Sequence, residues 1–186
     1  MSSRFARTGS EVLYEGRFIT LRRDRFRHED GEEVAREIVL HPGAVGIVVL
    51  DDAERLWLVR QPREALGVPD LLEIPAGKLD HAGESPLEAG RRELAEEIGK
   101  RAEHWESLGS FYTSPGFTNE EVHLFLATGV SDVEQRPEVD ENERIDVEVR
   151  PLSELDAILA QTKDSKTLIA LLKLKVRLTA GLQAQG

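Results

Sequence analysis

Arg92, Glu93, Glu96 and Glu97 put one cation and three carboxylates within six consecutive residues of a chain of 186. If the stretch is helical, Glu93 and Glu97 are i,i+4 neighbours and Glu96 lies on their flank, so the three carboxylates share one side. Like charges this close resist joint ionisation unless a cation holds them, and hard carboxylate oxygens suit Mg²⁺ or Mn²⁺. Mg²⁺ keeps several waters and takes one or two carboxylates plus phosphate oxygens, so the chemistry to expect is a diphosphate clamped by protein-bound metal. Arg92 stands four residues before Glu96 and four after Glu88, placed to orient the ligands from behind. The same residues would also suit a plain solvated acidic helix, and taken alone they favour that reading.

The elements that must position these groups are marked at both ends. Ser85-Pro86-Leu87-Glu88 supplies an N-cap serine, a proline in the first helical position and a capping-box glutamate, and Gly99 supplies the stop. Ala89 and Gly90 lie one turn back on the acidic side and keep it clear of bulk, while Leu87, Leu94 and Ile98 form an adjacent stripe able to pack into a core. The carboxylates are therefore expected at the edge of buried structure.

The whole pattern runs Gly77, Glu84, seven residues, Arg92-Glu93-Leu94, one residue, Glu96-Glu97, one residue, Gly99. It closely resembles the Nudix box, with two departures: there is one extra residue between Gly77 and Glu84, around His81 and Ala82, and Lys100 stands where the motif wants an apolar residue. The resemblance implies an α/β/α sandwich with a mixed sheet, and metal-dependent hydrolysis of a nucleoside diphosphate linked to another moiety. It implies Glu93, Glu96, Glu97 and the carbonyl of Ala76 as metal ligands, with Arg92 and Glu93 among the catalytic residues.

Features outside the box resemble the ADP-ribose pyrophosphatase branch of that family. Pro115, sixteen residues past Gly99, lies in Ser114-Pro115-Gly116-Phe117-Thr118-Asn119-Glu120, and Asp140-Glu141-Asn142-Glu143 sits where that branch places its general base and a further ligand. The likeness implies Glu141 as the base, Glu143 as a metal ligand, and Phe18, Arg36, Arg63, Ser114, Phe117 and Glu120 as substrate contacts. An aromatic ring can stack on adenine and arginine can fork onto phosphate oxygens. It also implies a homodimer built through an exchanged N-terminal ribbon, with Mg²⁺ as cofactor and Mn²⁺ as its substitute. Another nucleotide sugar or a dinucleotide would use the same box. A domain that senses a nucleotide without cleaving it is the alternative from a different class, and the intact glutamates speak against it.

Composition bounds the rest. A net charge of −11 and a pI near 5.0 disfavour binding to nucleic acid or to an anionic membrane surface. The absence of cysteine excludes disulfides and is compatible with a cytoplasmic protein. No apolar run is long enough to span a bilayer, and Met1–Ser10 is expected to be a frayed tail without a signal peptide's apolar centre. Residues 1–41 are expected to form an antiparallel β-ribbon that serves in dimerisation, with strands over Val12–Tyr14, Phe18–His28 and Glu33–Leu40, and residues 42–186 a catalytic domain. In the catalytic domain, Ala44–Leu50 and Leu56–Val59 read as buried central strands, Arg60–Pro69 as a loop and Leu71–Ile74 as a short strand. Ala102–Thr113, Glu121–Thr128 and Arg144–Val149 read as extended, Ser131–Glu143 as an exposed loop, Ser153 as the cap of a helix to Gln161, and Lys166–Leu178 as a closing helix.

Overall fold

The structure is a computed structural model that describes residues 4–17, 19–137 and 144–183. The chain divides into two units: the N-terminal residues through Gly43 together with Phe111–Glu121, and Ala44–Ser110 together with the residues from Val122 onward.

The first unit is built on three antiparallel strands in the order β1 (Phe5–Glu15), β2 (Thr20–His28) and β3 (Glu33–Leu40). β1 begins at Phe5, so the expected frayed tail is a strand from there on. Its residues are nearly all exposed, and a strand with no buried face leaves no period-two signal to read. Cross-strand pairs hold it instead. The Phe5 ring meets Phe26 edge-on at 5.4 Å, and Ser10 Oγ donates to Asp24 Oδ1 at 2.7 Å. Asp24 is buried, with Arg22 at 2.7 Å and Arg7 at 3.5 Å. Arg23 with Glu37 and Arg27 with Glu33 make further pairs between β2 and β3. The segment from Phe111 joins β3 through Val39, whose N–H donates to the Phe117 carbonyl at 2.8 Å, and the His41 N–H donates to Asn119 Oδ1 at 2.8 Å.

The second unit carries a mixed sheet. Its strands are β4 (Ala44–Leu50), β5 (Arg55–Arg63), β6 (Val68–Glu73), β7 (Ala76–Lys78), β8 (Lys100–Tyr112), β9 (Glu121–Asp132) and β10 (Asp146–Pro151). The order is β10-β5-β4-β9-β8, with β6 added on β5 and β7 on β4, and β4 runs parallel to β9. β4 is central and buried on both faces, as its β-branched run requires. The helices are α1 (Pro86–Ile98), α2 (Leu155–Gln161) and α3 (Ser165–Gln183), and both α1 and α3 pack on β4. On one face Val45, Ile47 and Val49 pack with Ala89, Leu94 and Ile98 of α1. The alternate positions of the strands face the other way, where Leu72, Ile74 and Leu124 lie with Ile158, Leu171 and Leu174 in the buried set. Burying a side chain such as Leu94 contributes about 1.5–3 kcal/mol. This is the α/β/α sandwich expected.

Three local readings are corrected. Arg60–Pro69 is not a loop: β5 continues to Arg63 through a register shift between Gln61 and Arg63, where Pro62 needs no ladder donor, and a 3₁₀ turn over Glu64–Leu66 leads to β6. Ser153 caps nothing, because it lies inside a 3₁₀ turn, Leu152–Glu154, that precedes α2. β9 also runs on to Asp132, into the expected loop.

Asp24 gives the first unit a pH dependence. Burial pushes its pKa up, but the Ser10 hydroxyl and the Arg22 charge outweigh this and hold it below the usual carboxylate range. The folded state thus releases the proton more readily than the unfolded chain. Asp24 stabilises above the ordinary value of about 3.9, and that contribution disappears as pH falls through the lowered folded value. Between about pH 5 and pH 3, the urea midpoint of the wild type is expected to fall more steeply than that of Asp24→Asn; equal slopes would show no such linkage.

Candidate active site

The predicted capping box forms as read. The Glu88 N–H donates to Ser85 Oγ, the Ser85 N–H donates to Glu88 Oε2 at 2.8 Å, Pro86 begins α1, and Gly99 ends it in the left-handed region at φ +67°. These signals fix where the helix starts and stops, and so which residues face β7.

β7 and α1 approach closely at Gly77. A Cβ there would lie 1.9 Å from the Glu93 carboxyl carbon and from its Oε1, so a side chain at 77 and the Glu93 carboxylate cannot share that space. Gly77 pairs with Val45 and Ala76 with Gly46 across to β4, which ties the contact to the central sheet. The Ala76 N–H donates to Glu97 Oε2 at 2.9 Å. Glu93 and Glu97 are buried at 9 % and 3 % exposure, despite their charge.

Arg92 joins the remaining acids. Its Nε and Nη2 fork onto both oxygens of Glu84 at 3.0 and 3.1 Å, and its Nη1 donates to Glu93 Oε1 at 2.7 Å and to Glu96 Oε2 at 3.0 Å. Burial works to lower the Arg92 pKa, but the bond to Glu84 and the charges of Glu93 and Glu96 prevail and raise it, so the guanidinium stays charged. Glu88, four residues before Arg92, is engaged by Ser85 instead. The extra residue before Glu84 is taken up in a turn in which the Glu84 N–H donates to the His81 carbonyl and Gly83 adopts φ +83°. Glu84 thereby still reaches Arg92.

Three carboxylates, those of Glu84, Glu93 and Glu96, thus gather around one guanidinium, and Glu97, one turn on from Glu93, is held by the Ala76 N–H. Their hard oxygens and excess negative charge fit a divalent cation. Among the described residues, no three His, Asp or Glu side chains close into a metal cage. Glu141 and Glu143, the implied base and further ligand, lie outside the described residues, as does Phe18.

The implied substrate contacts fall in both units. In the first, Arg36, Pro115 and Phe117 line a cleft of about 480 Å³ with Phe5, Phe26 and His28, and Phe117 is exposed. Ser114 accepts the N–H groups of Phe117 and Thr118, while Glu120 accepts from the Thr113 hydroxyl at 2.7 Å and lies 3.5 Å from His41. In the second unit Arg63 forks onto Glu73, with Nε to Oε1 at 2.6 Å and Nη2 to Oε2 at 2.7 Å. Its pKa is raised, first by that bond, which outweighs burial, and further by the charges of Glu73, Asp164 and Glu97.

Arg136 escaped the reading of the sequence. Its guanidinium donates to the carbonyls of Glu96 and Glu97 at the end of α1, where a cation offsets the negative end of the helix dipole. A basic residue in an acidic stretch was the available signal, but nothing local says which helix it meets.

A family model for the NUDIX domain matches residues 40–172, and one for the nucleoside diphosphate sugar hydrolase N-terminal domain matches residues 7–39. A methanol dehydrogenase activator of Bacillus methanolicus is 38% identical over 170 residues, covering 90% of this chain and 91% of that protein. An ADP-ribose pyrophosphatase of Bacillus subtilis (strain 168) is 37% identical over 177 residues, 94% of each chain. A crystal structure of an ADP compounds hydrolase superposes with a TM-score of 0.84 over 96% of each chain at 23% identity, a likeness of fold. Nudix hydrolases generally require a divalent metal. With the box residues assembled on α1 and β7 and the domain model spanning them, the chain belongs to the Nudix family.

Proposed function

We propose that this chain is a Nudix hydrolase that cleaves the diphosphate of ADP-ribose to AMP and ribose 5-phosphate. The observation that carries it is the set of box carboxylates held by Arg92 and the Ala76 N–H where Gly77 leaves room for Glu93. The likeness to the B. subtilis ADP-ribose pyrophosphatase over nearly the whole chain supports the substrate.

Glu93, Glu97 and the Ala76 carbonyl, with Glu96 and Glu143, would hold Mg²⁺. When bound, the metal neutralises charge on the diphosphate and favours ionisation of a water. Glu141 takes the proton of the attacking water; an O–P bond forms, the bridging P–O bond breaks, and AMP and ribose 5-phosphate leave. Arg92 keeps Glu93 and Glu96 oriented, and its fork on Glu84 braces the turn before α1. Phe18, Arg36, Arg63, Ser114, Phe117 and Glu120 are the proposed contacts to the nucleoside and sugar-phosphate groups. The proposal includes a cytoplasmic homodimer, supported by the lack of cysteine and by Val12, Leu13 and Tyr14, which leave apolar surface exposed on β1.

A second reading has one observation in its favour. The likeness to the methanol dehydrogenase activator would direct the site toward a dehydrogenase. Adding the purified protein to a methanol dehydrogenase, with and without ADP-ribose as competitor, separates the two: stimulated alcohol oxidation without ADP-ribose cleavage favours the second.

The main test is hydrolysis of ADP-ribose beside ADP-glucose, GDP-mannose, NADH and diadenosine polyphosphates. Metal-dependent AMP release, fastest from ADP-ribose and abolished by chelator, is expected; another preferred compound would replace the substrate assignment. Glu97→Gln should lower kcat by about 10²- to 10³-fold, the scale for losing one preorganised charged group, and a wild-type rate would remove Glu97 from the site. Gly77→Ala should displace the Glu93 carboxylate and cost about a hundredfold in kcat/KM while far-UV circular dichroism stays native. Unchanged kinetics would show that this close approach is dispensable.

A further inference from the structure

Glu73, the last residue of β6, is 0 % exposed and yet carries a carboxylate. Its two oxygens take the fork of Arg63, and Oε2 also takes Lys166 Nζ at 2.5 Å. Lys166 reaches Asp164 Oδ1 as well, at 3.0 Å, so two cations and two acids balance. As a fastener this arrangement is poor, because the desolvation of a buried ion pair commonly cancels its attraction and apolar residues would serve as well. Nor does the strand need it. On either side of Glu73 the backbone is already tied to the helices: Thr162 Oγ1, at the end of α2, donates to the Leu72 carbonyl at 2.7 Å, and the Ile74 N–H donates to Thr167 Oγ1, at the start of α3, at 2.9 Å. Thr167 Oγ1 in turn donates to Asp164 at 2.6 Å. Glu73 therefore stands on a backbone held on both sides without its own side chain.

What the fork does determine is the attitude of Arg63. With Nε and Nη2 taken by Glu73, Nη1 has no hydrogen-bond partner among the described residues, and Glu73 stands three residues before Ala76, whose N–H holds Glu97. A planar group held along one edge presents the other edge in a fixed direction. We propose that Glu73 is a positioning residue that aims Nη1 of Arg63 at the diphosphate of the substrate beside the box glutamates. The inference rests on the hydrolase reading for its substrate, and Glu73 itself touches no substrate atom.

A double-mutant cycle tests it, using Glu73→Gln, Arg63→Ala, the double variant and Lys166→Met. The readouts are kcat/KM for ADP-ribose, the dissociation constant of α,β-methylene ADP-ribose and thermal unfolding. Glu73→Gln is expected to lower kcat/KM by about 10- to 100-fold and to weaken analogue binding, because a guanidinium turned by an ångström loses its contact. In the Arg63→Ala background the same substitution should change either constant by less than about twofold, since residues that act as a unit are not additive. Lys166→Met removes the other cation on Glu73 and should lower the melting temperature more than it lowers kcat/KM. Equal losses from Glu73→Gln in both backgrounds, wild-type kinetics for it, or as large a kinetic loss from Lys166→Met would each overturn the proposal. If Glu73→Gln fails to fold, Glu73→Asp keeps the charge, draws the fork back by one methylene and is read in the same cycle. If the wild type cleaves no compound of the panel, the hydrolase reading fails separately, and the cycle is then read on binding of magnesium pyrophosphate.

Discussion

Much of the candidate site depends on a missing carbon atom. Where Gly77 lies against α1, the Glu93 carboxyl group occupies the volume in which any other residue would carry its Cβ. This brings strand and helix within reach of each other, lets the Ala76 N–H meet Glu97, and turns Glu93 toward Arg92. The capping box and the left-handed Gly99 set the ends of the helix, and Leu94 and Ile98 press it on the sheet. Packing of apolar residues thus sets the positions of buried acids, which would otherwise seek water.

Those acids make the local field opposite to what the substrate would want, and it is relieved by a few cations. Arg92 lies among three glutamates, Arg63 is forked onto Glu73, and Arg136 covers the carbonyl end of α1. Each guanidinium is held in a fixed geometry by several bonds, as a delocalised planar group allows and an ammonium does not. In a chain of net charge −11, an anionic ligand meets attraction only where such groups and a metal are concentrated.

How much could be read beforehand follows from how local each cause is. β3, β4 and α1 were legible to the residue or nearly so: the β-branched run of β4 and the cap signals of α1 act within a few positions. The strand character of Phe5–Ser10 was not, because an exposed strand held by cross-strand pairs has no apolar period. Pro62 read as a loop marker although a register shift lets β5 carry it, and Ser153 read as a cap although the chain enters α2 by a 3₁₀ turn. The box itself was legible as a motif. The partners of Arg63, Glu73 and Arg136 were not, because each pairing spans segments that only the fold brings together.

The first unit is assembled from two separate stretches of chain, since Phe111–Glu121 joins β3 through Val39. During synthesis from the N-terminus, its three strands leave the ribosome long before the piece that completes them. In the interval the whole of β4 through α1 is made, so the central sheet of the second unit can begin to form while the first still exposes the backbone groups of Val39. The late arrival raises the loop-closure cost of that contact and makes its docking a late step in folding. A gene fragment ending near Gly43 would encode an unfinished ribbon, and exchanging this unit between proteins would require two pieces of sequence to travel together.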